Sequence, residues 1–213
     1  MQASANKRIA VVSYKGGVAK STTAIHLATY LGKRGKTILV DGDLNRSAIE
    51  WVQPNPDAFP FQVHDPRSES AIIDDASHSS HYTYTVVDTP ARPSKAEMEV
   101  LGAYFFMLVP MPPDPMAVRA TTKMLQDIQG RAFRKIQYKI LLTIVPPPPS
   151  REAEYTKESL EKAGYPVFQT VIPRLSAFKK ASLLGVPVYD VKEDKYAQIA
   201  WNRYVAAFQE LKL

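Results

Sequence analysis

The sequence predicts a doubly wound α/β fold, one mostly parallel sheet flanked by helices, and three observations lead there. Short β-branched runs alternate with helical patterns along the whole length, which is how the strand–helix–strand units of a parallel sheet read. A glycine-bearing loop stands between the first predicted strand and the first predicted helix. Aspartates close two of the later predicted strands, and open α/β sheets gather ligands at the carboxyl ends of their strands. The chain has 213 residues, enough for one such domain with a real core and too few for two comfortable ones. Residues 1–213 therefore read as a single domain.

The elements follow in order. Residues 8–13 (Arg-Ile-Ala-Val-Val-Ser) form an apolar, strand-length run, and residues 21–33 carry helical spacing that ends near Gly35. A glycine there is placed for a left-handed helix cap, as is Gly164 further on. Strands are predicted at 37–41, more weakly at 61–64, and at 84–88, 105–110, 139–145 and 167–171. Helices are predicted at 117–129, 151–163, 175–184 and 195–212. Residues 53–60 are loop-like, and the run Pro146-Pro147-Pro148-Pro149 forbids both helix and central strand. No repeat and no dividing linker interrupts this pattern.

Composition narrows the function classes. With 45% hydrophobic and 23% charged residues the chain has the balance of an ordinary globular protein. It has no cysteine, which excludes a disulfide framework, a thiolate zinc site and a cysteine-held iron–sulfur cluster, and which fits a reducing cytoplasm. The first eight residues lack the apolar core of a signal peptide. The apolar stretch 103–113 is far shorter than the about 20 residues of a membrane span, so no membrane partner is expected. A net charge of +6 has two readings, a surface that keeps the protein in solution or attraction to a polyanion such as nucleic acid.

The chemistry begins in Lys15-Gly16-Gly17-Val18-Ala19-Lys20-Ser21-Thr22, directly before a helix. Strand, glycine loop and helix start together make a phosphate cradle. Successive backbone N–H groups and the helix N-terminus face an anion, and glycine lets the backbone come close. Lys20 is placed to reach β- and γ-phosphates and the Ser21 hydroxyl to meet Mg²⁺. The common phosphate-loop pattern G-x-x-x-x-G-K-[ST] is broken, because its two glycine positions hold Tyr14 and Ala19. Downstream, Leu39-Val40-Asp41-Gly42-Asp43 ends one strand, and Thr85-Val86-Val87-Asp88-Thr89-Pro90 has the form of a Walker B strand whose aspartate holds Mg²⁺ through water.

Taken together, these motifs resemble the ParA/MinD family of deviant Walker-A P-loop ATPases, whose loop reads K-G-G-x-x-K-[ST], and the likeness runs over nearly the whole chain. Within the family it is most similar to the small ParA-type partition ATPases, and carboxysome-positioning relatives share the same chemistry. The resemblance implies ATP/ADP and Mg²⁺ as cofactors and slow, partner-stimulated hydrolysis. It makes Lys15 the signature lysine that crosses a homodimer to touch the other subunit's phosphates. It gives Gly16, Gly17, Val18, Ala19, Lys20, Ser21 and Thr22 to the nucleotide. It puts Asp41 with Ser21 and Asp88 around the metal, and makes Asp43, with Lys15 and Lys20, catalytic by orienting the attacking water. Phosphoryl transfer suits this set, since it needs a metal, fixed cations and a placed nucleophile more than a strong base. Ala19, where the family usually has glycine, is the main departure and is expected to affect hydrolysis.

In the family, adenine lies against the loops after the last strands, which here are Val145 and Pro146 and the run Ile172-Pro173-Arg174. The prolines can equally be a stiff surface spacer. ParA-type relatives bind DNA non-specifically through basic residues of the C-terminal half, here Arg174, Lys179, Lys180, Lys195 and Arg203. Such contacts would meet phosphates and carry no sequence information; a solvated basic helix face is the plainer reading. Site specificity then comes from a ParB-like or other cargo adaptor, and the expected location is cytoplasmic and nucleoid-associated. The last helix spaces Tyr196, Ala200, Tyr204 and Phe208 by four. Its sparse, mixed charges suit packing on the sheet better than the membrane anchor of MinD-type relatives. A carboxylate ligase built on the same loop is the remaining rival, and it would need a second small-molecule pocket.

Overall fold

The computed structural model describes residues 6–66, 81–130 and 136–212. Their strands are β1 (Lys7–Ser13), β2 (Thr37–Asp41), β3 (Gln62–His64), β4 (Tyr84–Ala91), β5 (Phe106–Met111) and β6 (Tyr138–Leu142). The helices are α1 (Lys20–Gly32), α2 (Ser47–Val52), α3 (Lys95–Tyr104), α4 (Pro115–Gln129), α5 (Glu152–Lys162), α6 (Ser176–Leu184) and α7 (Ala197–Gln209). All six strands lie in one sheet of order β3-β2-β4-β1-β5-β6, and every pairing is parallel. The predicted fold class is the observed one, with no antiparallel edge among the described strands.

The strands alternate residues between two cores, as a pleat with period two requires. Ile9, Val11, Leu39, Val86, Leu108 and Leu141 face one layer, which α1, α2, α6 and α7 cover. Ala10, Val12, Val40, Val87, Val109 and Ile140 face the other, under α3, α4 and α5. Burial on both faces explains why apolar residues stand side by side in β1, β2 and β4 instead of alternating with polar ones. Parallel pairing of β2, β4 and β1 brings their carboxyl ends to a common edge, and the strand order reverses at β1, which pairs β4 on one side and β5 on the other. Among the described residues no helix is long and apolar enough to cross a membrane.

Several local expectations are corrected. The strand predicted at 167–171 is absent; only isolated bridges, Ile140 to Val167 and Val145 to Pro173, remain. The reason is a competitor: the backbone N–H groups of Gln169 and Thr170 donate to the Glu210 carboxylate at 2.9 and 2.8 Å, and Lys139 holds the same carboxylate at 2.8 Å. Strand β6 stops at Leu142 rather than 145, since Ile144 has φ 53, outside strand geometry. Helices α2 and α3 were not anticipated, although α3 opens with a full capping box of Ser94 and Glu97, a signal visible in the sequence. Gly164 is left-handed at φ 82. Gly35 is not left-handed; a side chain on it would press on Thr83 at 3.1 Å, so close packing is what glycine serves there.

Candidate functional site

Strand β1 runs into the loop that precedes α1, and the loop is pinned from several sides. The Ser13 hydroxyl donates to the Lys15 carbonyl at 2.8 Å, and the Thr143 hydroxyl donates to the Val18 carbonyl at 2.9 Å. Gly17 has φ 71 and Ala19 φ 65. Left-handed geometry is free for Gly17 but costs an alanine about 1 kcal/mol, and here it is imposed just where the helix begins. Side chains added at Gly16 or Gly17 would meet nothing within 4 Å, so the loop's backbone is open to an approaching group.

Lys20 is buried at the first turn of α1, where its ammonium meets Asp43 at 2.9 Å and Asp88 at 3.0 Å. Burial alone would lower the lysine's pKa, yet the two carboxylates outweigh it and leave it above the ordinary value. Burial pushes the Asp88 carboxyl up to about 6, against the pull of Lys20. The second Asp88 oxygen is buried with no partner in good hydrogen-bond geometry, although the Ser21 hydroxyl is near enough to favour the charged carboxylate. Asp41 is turned elsewhere. Its carboxylate accepts N–H bonds from Asp43, Ala48 and Ile49 at 3.1, 3.0 and 2.9 Å, so it caps α2 and braces the turn that carries Asp43. Lys15 sits half-exposed at the rim, with its ammonium 3.1 and 3.2 Å from the two oxygens of Asp114.

A cavity of about 580 Å³ opens over this loop. Lys15, Gly16, Gly17, Ala19, Lys20, Ser21, Thr22 and Asp43 line it, and so do Ile172, Pro173 and Arg174 across from them. Val18, Asp41, Asp88, Val145 and Pro146 are not in the lining. Val145 instead braces the far wall: its N–H donates to the Ile172 carbonyl and its carbonyl accepts the Arg174 N–H, at 3.1 and 2.9 Å. The strained Ile144, one residue earlier, does face the cavity. Trp51, Phe178 and Tyr204 also line it; in the sequence they pass for ordinary core aromatics. Among the described residues no cluster of three or more His, Cys, Asp or Glu side chains could hold a metal alone.

The basic residues singled out in the sequence do not form one uniform patch. Arg174 and Lys179 border the cavity. Lys180 reaches the buried Asp194 at 2.8 Å, which ties α6 to the segment before α7. Lys195 lies 5.0 Å from the centre of the Tyr196 ring, and Arg203 is exposed on α7.

The sequence model of the CobQ/CobB/MinD/ParA nucleotide binding domain matches residues 9–188. The chain belongs to this family. Its members include proteins similar to it over most of their length. The maintenance of carboxysome distribution protein A of Gloeobacter kilaueensis is 29% identical over 182 residues, covering 84% of this chain and 82% of its own. Protein ParA of Rhizobium radiobacter is 27% identical, with 86% of each chain covered. Among solved structures, Cyanothece McdA in complex with ATP superposes with a TM-score of 0.75 at 14% identity, covering 99% of this chain and 98% of that one; at that identity the likeness is one of fold.

Proposed function

We propose that the protein is a ParA-type ATPase that positions or partitions a large cargo by cycling between subunits joined and separated by ATP. The observation that carries this reading is the cavity lined by both loop lysines, Lys20 buried against Asp43 and Asp88, Lys15 half-exposed against Asp114. The backbone of residues 16–20 and the start of α1 receive the phosphates, and Lys20 neutralises the β- and γ-oxygens. Mg²⁺ suits the donors present: the second oxygen of Asp88 and the Ser21 hydroxyl are hard oxygen ligands, and Mg²⁺ needs few protein ligands beside substrate oxygens and water. When bound it spreads the charge that develops on the transferring phosphoryl group. Asp43 orients the attacking water, and Asp41 acts on the metal's side of the site only by holding Asp43's turn in place. Adenine rests on Ile144, Ile172, Pro173 and Arg174 rather than on Val145 and Pro146.

Lys15 reaches the triphosphate of a second copy. Leu44, between the lining residues Asp43 and Asn45, and Met116, two positions after the Lys15 partner Asp114, are 75% and 73% exposed, and such apolar side chains gain most from being covered by another molecule. Hydrolysis separates the copies, slowly alone and faster with a ParB-like or other cargo adaptor. Arg174, Lys179, Lys180, Lys195 and Arg203 supply sequence-independent DNA contacts in the joined state, which places the protein on the nucleoid in the cytoplasm. Analytical ultracentrifugation with ATP and with ADP tests the reading. Wild type should sediment as a dimer with ATP alone, and Lys15→Ala as a monomer with both. Identical profiles for the two proteins would remove Lys15 from the interface.

A further inference from the structure

Both lysines of the loop are held by carboxylates of their own chain, but the two grips are built differently. Asp114 is a fixed anion. Pro112 and Pro113 precede it and Pro115 follows it, so its backbone has little freedom. Its side chain also accepts the Ala117 N–H at 2.9 Å and caps α4. Burial works against its charge, yet the cap and Lys15 hold its carboxyl below the usual range. Lys15, by contrast, is followed by two glycines in open space, and its side chain is 39% exposed. The anion stays where α4 puts it, and the lysine can leave.

We propose that Asp114 is the positioning residue for Lys15: it parks the lysine on its own subunit, and two copies join on ATP only by drawing Lys15 off that carboxylate. This rests on the sandwich reading given above. The pair competes directly with the phosphates of the second copy, because one ammonium cannot satisfy both at full strength. Asp114 thereby sets the ATP and protein concentration at which the switch closes. An ion pair this exposed gives up to about a fivefold effect, and the two pairs of a symmetric dimer up to about twenty-five-fold.

Asp114→Asn tests this, since asparagine keeps the helix cap and loses the charge. Two readouts are needed. In nucleotide-free protein, Lys15 acetylation by an amine-reactive ester, followed by mass spectrometry, should be severalfold faster in the variant. In ATP, the self-association constant should tighten by roughly five- to twenty-five-fold, and its salt dependence should change. Asp114→Glu should restore slow labelling, which a loss of the cap alone would not explain. Unchanged labelling would show that Asp114 does not hold the lysine. Faster labelling with equal dimerisation of wild type and variant would overturn the competition. Faster labelling with no dimer in either protein would instead bring down the sandwich reading and, with it, the switch assigned to Asp114.

Discussion

Lys15 and Lys20 lie five positions apart on one loop, yet they occupy opposite regimes of electrostatics. Lys20 is 7% exposed and has two carboxylate partners, Asp43 and Asp88; Lys15 has one partner and keeps contact with water. A buried charge cannot lose its counter-ions without a large penalty, whereas water replaces a lost partner at the surface. The inner lysine is therefore committed to its site and the outer one is free to change partners. On the proposed function, the inner lysine would serve the nucleotide and the outer one a second copy.

The largest test removes the inner charge. Lys20→Ala strands two carboxylates, Asp88 wholly buried, and should cost roughly 3–5 kcal/mol of stability in urea unfolding at neutral pH. Lys15→Ala should cost less than about 1 kcal/mol in the same experiment. Equal losses would erase the distinction between the two grips.

A second test uses a buried group on the same helix that must stay neutral. His26 is fully buried, stacked 4.8 Å from Tyr204, with its Nδ1 2.6 Å from the Thr22 carbonyl and its Nε2 without a partner. Burial pushes it down to about 4, more than the Thr22 carbonyl can restore. The unfolded chain thus binds a proton near 6.5 that the folded one refuses, and stability attributable to His26 falls as pH drops from about 6.5 toward 4. Asp88, raised to about 6, has the opposite sign: between about 6 and 4 the folded state binds its proton first, so acid favours the fold there. Comparison with His26→Asn isolates the histidine. The stability difference between wild type and variant should move by about 2–3 kcal/mol from pH 7 to pH 4.5. A pH-independent difference would mean that His26 is not held neutral.

The smallest test touches the loop between the two lysines. Ala19→Gly relieves the left-handed alanine at φ 65 and should raise stability by about 1 kcal/mol, read as a higher urea midpoint with the same slope. A lower midpoint would mean that the loop relaxes out of that conformation when alanine is present.

Much of this was legible along the chain. Apolar runs of strand length, buried on both faces, mark β1, β2 and β4, and the cradle of residues 15–22 is read from glycine, lysine and hydroxyl spacing alone. Capping was under-read: Ser94 and Glu97 announce α3, and Asp41 followed by residues 47–52 conceals a helix whose cap comes from the preceding strand end. The cavity wall holds Ile144 and not the expected Val145 and Pro146, because nothing local says that β6 ends by turning Ile144 to positive φ.

Sequence by itself determined most of the strands and helices and the form of the glycine loop before α1, since those follow from short-range periodicity and backbone sterics. Tertiary structure decided which charges meet. Asp88 reaches Lys20 from 68 positions away and Asp114 reaches Lys15 from 99, while Glu210 takes the amides of Gln169 and Thr170 within the segment expected as another strand. Such pairings exist only after the parallel sheet has gathered distant strand ends to one edge, where the energy of a charge is set by neighbours that no local pattern names.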